Sequence, residues 1–113
     1  MNFKKPVAVG LLALLANAAA ADMRTIVEAH EVRLSQFRAP ASITGTVTFR
    51  TCDSCPQKIV SVTPATRYLV NDKAVSLSDF RKAVLTVSNR EREYLVVSEH
   101  LESATIRSVS VSL

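Results

Sequence analysis

From Ile43 onward, apolar and polar residues alternate with a period of two. Ile43, Gly45, Val47 and Phe49 interleave with Thr44, Thr46, Thr48 and Arg50, which predicts a half-buried strand with one polar face. Residues 58–63 form a second strand, rich in β-branched side chains and stopped by Pro64. Residues 66–70 and 73–77 flank Asn71-Asp72, a pair that tolerates positive φ and suits a two-residue hairpin turn. Ser78 then reads as an N-cap, with Asp79 in the first turn and Phe80 on a short helix reaching about residue 83. Residues 84–88 and 93–98 predict a hairpin across Asn89-Arg90-Glu91-Arg92. The alternation is cleanest over 105–113, where Val109, Val111 and Leu113 face one way and Ser108, Ser110 and Ser112 the other.

The segment 23–37 fits two periods. Val27, His30, Leu34 and Phe37 recur at helical spacing, whereas Ile26, His30, Val32 and Leu34 suit strand alternation. A strand over about 25–34 is favoured, because a sheet built from the other segments still needs edge cover or closure. The sum is a mainly β domain with one short helix near 78–83. Its expected architecture is a small, partly open antiparallel barrel of the OB type, with a two-layer sandwich as the alternative. The order of Gly45-x-Val47, Val62-Thr63-Pro64-Ala65-Thr66, Val75-x-Leu77-x-Asp79-Phe80 and the C-terminal alternation resembles small exported bacterial domains of unknown function. That resemblance covers residues 43–113. It implies an OB-like barrel and an exported location, and it carries over no catalytic residue.

The N-terminus has the zones of a secretory signal. Lys4 and Lys5 precede an apolar run over 7–15, and small residues follow up to Asp22. The run is too short to span a membrane, so cleavage after Ala21 is expected, leaving 22–113 as one domain without a membrane span. Losing the leader takes two lysines from fourteen cations and none of the ten carboxylates, so the formal charge falls from +4 to +2. Such a balance gives no footing for nucleic-acid binding, and a nucleic-acid partner is not expected. An envelope protein or a small ligand is the expected kind of partner, in the periplasm or outside the cell.

Cys52-Asp53-Ser54-Cys55 is the one constellation with obvious chemistry. In an oxidising compartment, an i, i+3 pair across a turn is expected to close into a structural disulfide. The alternative is a thiol-redox or copper-handling protein that uses Cys52 and Cys55 directly. Pro56 and the strand-like residues after it lack the helix that a redox C-x-x-C motif needs. Arg50, Lys58 and Arg67 flank the cysteine turn and, with Tyr68, form a candidate anion or ligand patch. His30 and His100, each between glutamates, read as surface groups, and Tyr68 and Tyr94 as ends of the core. There is no nucleophile elbow, zinc-protease helix or phosphate-binding glycine loop. A binding or interaction module is therefore favoured over an enzyme, with no cofactor and no metal site expected.

Overall fold

The computed structural model describes residues 26–113, so the predicted leader, 1–21, lies outside the described residues. The strands are β1 (Val27–Arg33), β2 (Phe37–Arg38), β3 (Thr46–Phe49), β4 (Lys58–Ser61), β5 (Arg67–Val70), β6 (Lys73–Val75), β7 (Tyr94–His100) and β8 (Thr105–Val111). Among the described residues there is one α-helix, α1 (Leu77–Leu85). The strands form one sheet in the order β1-β7-β8-β4-β3-β2, while β5 joins through β8 and carries β6 outside it. The domain is mainly β, and its sheet does not close.

β1 and β2 stand at opposite ends of that order, yet only the 3-10 turn Leu34–Gln36 separates them. Four Cα steps reach about 14 Å at full stretch. The sheet must therefore curl until its two edges nearly meet. Leu34 holds this corner from inside: its side chain is fully buried, and its N–H donates to the Glu93 carbonyl at 2.7 Å. Ser35 N–H donates to the Arg90 carbonyl at 3.2 Å, and Arg50 N–H to the Gln36 carbonyl at 3.1 Å. The curl turns one face of each strand inward, so that paired rows such as Val32, Leu95, Val111 and Val70 meet in the core.

Helix α1 packs over this core. Leu77, Phe80 and Val84 lie on one helical stripe and are buried. The Phe80 ring meets Phe37 edge-on at 6.5 Å and Tyr68 at 5.5 Å between centroids.

β1 is a strand, as the need for edge cover suggested, and Asn71 and Asp72 adopt positive φ of 51° and 66° in the β5–β6 turn. Other expectations are corrected. The helix begins two residues earlier than predicted: Ser76, not Ser78, is the N-cap, accepting from Asp79 N–H at 3.1 Å. It also runs on through Leu85, so the predicted strand over 84–88 does not exist. Val84 continues the stripe of Leu77 and Phe80, and burying it there outweighs its β preference. Asn89-Arg90-Glu91-Arg92 consequently links α1 to β7 instead of turning a hairpin.

The last strand keeps Val109 and Val111 inside, but Leu113 lies beyond its end and is half exposed. Between Ser98 and Glu99 the β7–β8 register slips: Ser98 pairs with Ser108 and Glu99 with Ile106. Arg107 is the extra residue, which lets Ile106 and Val109 both face inward and keeps the arginine in solvent.

Both remaining pairings of β8 are parallel, with β4 at Thr105 and with β5 from Ser108 onward. The change of partner is made over residues 62–66. There the buried Thr66 hydroxyl donates to the Ile106 carbonyl at 2.6 Å and accepts from Thr63 N–H at 3.0 Å.

The two serines before and inside α1 separate the predicted cap from the observed one. Ser76→Ala removes the acceptor for Asp79 N–H and is expected to cost about 1 kcal/mol, whereas Ser78→Ala stays within about 0.5 kcal/mol. Urea unfolding of the two variants measures the difference, and equal losses would contradict the assigned cap.

Candidate functional site

β3 and β4 pair from Thr46–Ser61 to Phe49–Lys58, and their connection carries the cysteines to the tip. Cys52 and Cys55 form a disulfide with Cα atoms 5.0 Å apart, closed by Cys55 N–H donating to the Cys52 carbonyl at 3.2 Å. A turn, not a helix, follows Cys52, so no helix dipole is available to activate a thiol here. Bridged sulfurs also offer no thiolate to a soft metal. Among the described residues, no group of three or more histidines, cysteines and carboxylates is gathered in metal-binding reach.

Asp53, exposed at the tip, reaches back to the β1–β2 corner. Its Oδ1 accepts from Gln36 Nε2 at 3.3 Å and lies 3.5 Å from Arg33 Nη1. Glu91 approaches the same guanidinium at 3.7 Å, and the Tyr94 ring lies under it at 5.9 Å. Tyr94 first, and Asp53 after it, hold the Arg33 guanidinium above its ordinary pKa. Arginine is charged at any physiological pH, so this corner holds a permanent guanidinium faced by two carboxylates.

From there a run of four clefts, each between about 210 and 450 Å³, leads to the outer side of α1. The cleft beside the disulfide shares Gln36 and Arg50 with the next. That one shares Phe37 and Arg38 with a third, and the third shares Arg81 and Leu85 with a fourth. Arg33, Arg50, Arg38, Arg90, Arg81 and Lys82 all line the run, against a single carboxylate, Asp53, among the described residues. Arg38, Arg50, Arg81 and Lys82 have no carboxylate within ion-pair distance among the described residues. Arg90 is fixed differently. It donates to the Val84 carbonyl at 3.0 Å and the Leu34 carbonyl at 3.5 Å, tying the last turn of α1 to the corner where helix carbonyls favour a cation.

No protein-family model, curated protein or solved structure matches this chain. The site therefore rests on its own geometry.

The residues singled out in the sequence divide between different surroundings. Arg50 joins the cleft run. Lys58 instead donates to Glu99 Oε1 at 3.3 Å, and its ammonium sits 5.9 Å from the Phe49 ring centroid. Arg67 pairs in register with Ser108 and lines none of the four clefts. Tyr68 is buried against Phe80, and burial pushes its hydroxyl above the usual phenol pKa, so the ring serves the core in neutral form. Tyr94 lies at the cleft mouth and is 44% exposed.

The surface reading of His30 is corrected. It is 9% exposed, faces inward beside Val32, and stacks at a tilt on Phe49 at 5.4 Å. Its Nε2 lies 3.2 Å from Glu99 Oε1, the same oxygen that Lys58 approaches. The β1–β7 register places Glu99 one step along the same inward face, a diagonal neighbour that no single-strand reading exposes. His30, Glu99 and Lys58 thus compensate one another where the core meets the sheet edge. Arg33, Gln36, Arg38, Arg81 and Arg90 were missed as site residues because the clefts join distant parts of the chain, 33–38, Arg50 and 81–90, each an ordinary polar stretch by itself.

The disulfide closes only a hairpin tip. Replacing both cysteines by serine is expected to keep the fold and lower its stability by about 2 kcal/mol, the chain-entropy value for so short a loop. Urea titration with and without reductant measures it; loss of the folded state at 25 °C would show that the bridge holds more than the tip.

Proposed function

We propose that this chain is an exported binding module that holds an anionic partner in the clefts running from the Cys52–Cys55 hairpin to α1. The observation that carries the reading is charge placement: six cations and one carboxylate line four adjoining clefts, and four of the cations are without an ion-pair partner among the described residues. Like charges gathered along low-dielectric walls repel one another, and a bound anion relieves that repulsion. Five of the six are arginines, whose planar fork matches carboxylate, phosphate or sulfate oxygens two at a time. Because the predicted mature chain carries only +2 overall, the binding follows from this local concentration of charge and not from a general attraction to polyanions.

Export is supported by the leader-like N-terminus, by the bridged cysteine pair, and by the resemblance to small exported OB-like domains. Among the described residues, no helix is long and apolar enough to cross a membrane. A periplasmic or secreted protein of this kind acts by binding and not by catalysis, and its partner is an envelope component or a small anionic ligand.

Mass spectrometry of the protein recovered from its native cells tests the location. The expected species begins at Asp22 and is two hydrogens lighter than the reduced chain; a full-length cytosolic form with two free thiols contradicts export. Charge reversal tests the site. Arg38→Glu with Arg81→Glu is expected to weaken binding of a sulfated oligosaccharide about tenfold or more. Arg67→Glu with Arg107→Glu changes net charge equally away from the clefts and is expected to weaken it less than about threefold. Equal losses in the two pairs would leave only net charge as the cause and remove the assigned site.

A further inference from the structure

We infer that the partner is an extended acidic peptide segment bearing apolar side chains, seated with its apolar groups along α1; this rests on the anion-binding reading above. The character of the clefts changes along their length. Near the disulfide the walls are mostly polar and include the donors Arg33, Gln36 and Arg50, beside Asp53 and the Tyr94 ring. Around Arg81 and Lys82 the walls include Ile43, Leu77 and Leu85. Ile43 is 56% exposed and Leu85 75% exposed, an apolar pair in water beside two unpaired cations.

Charge complementarity and apolar cover are both needed to occupy such a surface. A sulfated sugar or a polyphosphate supplies the first and leaves Ile43 and Leu85 in water. A lipid headgroup layer supplies both, but it has no main chain to pair with a strand edge. An extended peptide repeats its side-chain direction about every 6.7 Å, so apolar residues can face the cleft walls while carboxylates reach the rim cations. A second observation points the same way. β2, whose Phe37 and Arg38 form the middle of the run, pairs only with β3 and has a free edge among the described residues. Main-chain pairing to such an edge is open to a peptide and to no sugar or lipid.

Fluorescence anisotropy on the purified, disulfide-bonded mature domain separates the possibilities. The probes are a labelled decapeptide of alternating glutamate and leucine, a decaglutamate, a sulfated oligosaccharide and phosphatidylglycerol vesicles. The alternating peptide is expected to bind about tenfold tighter than decaglutamate, through burial of apolar surface. Ile43→Ser with Leu85→Ser, both at exposed positions, is expected to erase that advantage, bringing the alternating peptide down to the affinity of decaglutamate. Arg38→Glu with Arg81→Glu is expected to weaken both peptides. Equal binding of the two peptides, an advantage that survives the serine pair, or preference for vesicles over peptide each overturns the inference and leaves the anion site standing. Failure of every anionic probe to bind removes the anion-binding reading itself.

Discussion

The fold and its site both depend on the three-residue corner between β1 and β2. Because strands at opposite ends of the sheet are joined by Leu34–Gln36, the sheet cannot lie open. Curling buries a continuous apolar face without the full ladder of hydrogen bonds that a closed barrel requires. The same corner places Arg33, Gln36 and Arg38 within a few residues of one another and brings them beside Arg50, the residue after β3. From this corner the clefts pass along β2 to the outer side of α1.

Cohesion comes mainly from apolar burial, with polar contacts used where the sheet changes direction. Thr66 satisfies carbonyl and amide groups at the point where β8 exchanges β4 for β5. Those groups would otherwise lie buried and unpaired, at a cost of about 1–3 kcal/mol each. The His30–Glu99–Lys58 cluster does related work at the other side of β8, next to the register slip in β7. A buried glutamate is tolerable there because two donors converge on one oxygen. The disulfide is local by comparison and fixes Asp53 over the corner more than it holds the domain together.

Much of the strand pattern was legible from residue order. Thr46–Phe49, Lys58–Ser61 and the Asn71-Asp72 turn follow from alternation and from side chains that accept positive φ. The helix was displaced in the reading because Ser76 and Ser78 are equally good caps in isolation. Only the burial of Val84 beside Phe80 decides which register the chain takes. The bulge at Arg107 was invisible for a similar reason: strict alternation from Val109 puts that arginine inside, and the register with β7 moves it out. Of the candidate patch, Arg50 lines the clefts, while Lys58 turns to Glu99 and Tyr68 to Phe80.

By itself the sequence determined what short-range chemistry controls: a leader-like start, strands of period two, tight turns, and two cysteines close enough along the chain to bridge. Tertiary structure alone decided which cations share a surface and which charges are buried. Arg33, Arg50 and Arg81 stand well apart along the chain, and their common potential arises only once the sheet has curled. Glu99 resembles any strand glutamate until His30 and Lys58 arrive from two other strands. Local propensity acts over a few residues, whereas electrostatic and packing energies depend on distance in space, which the fold sets.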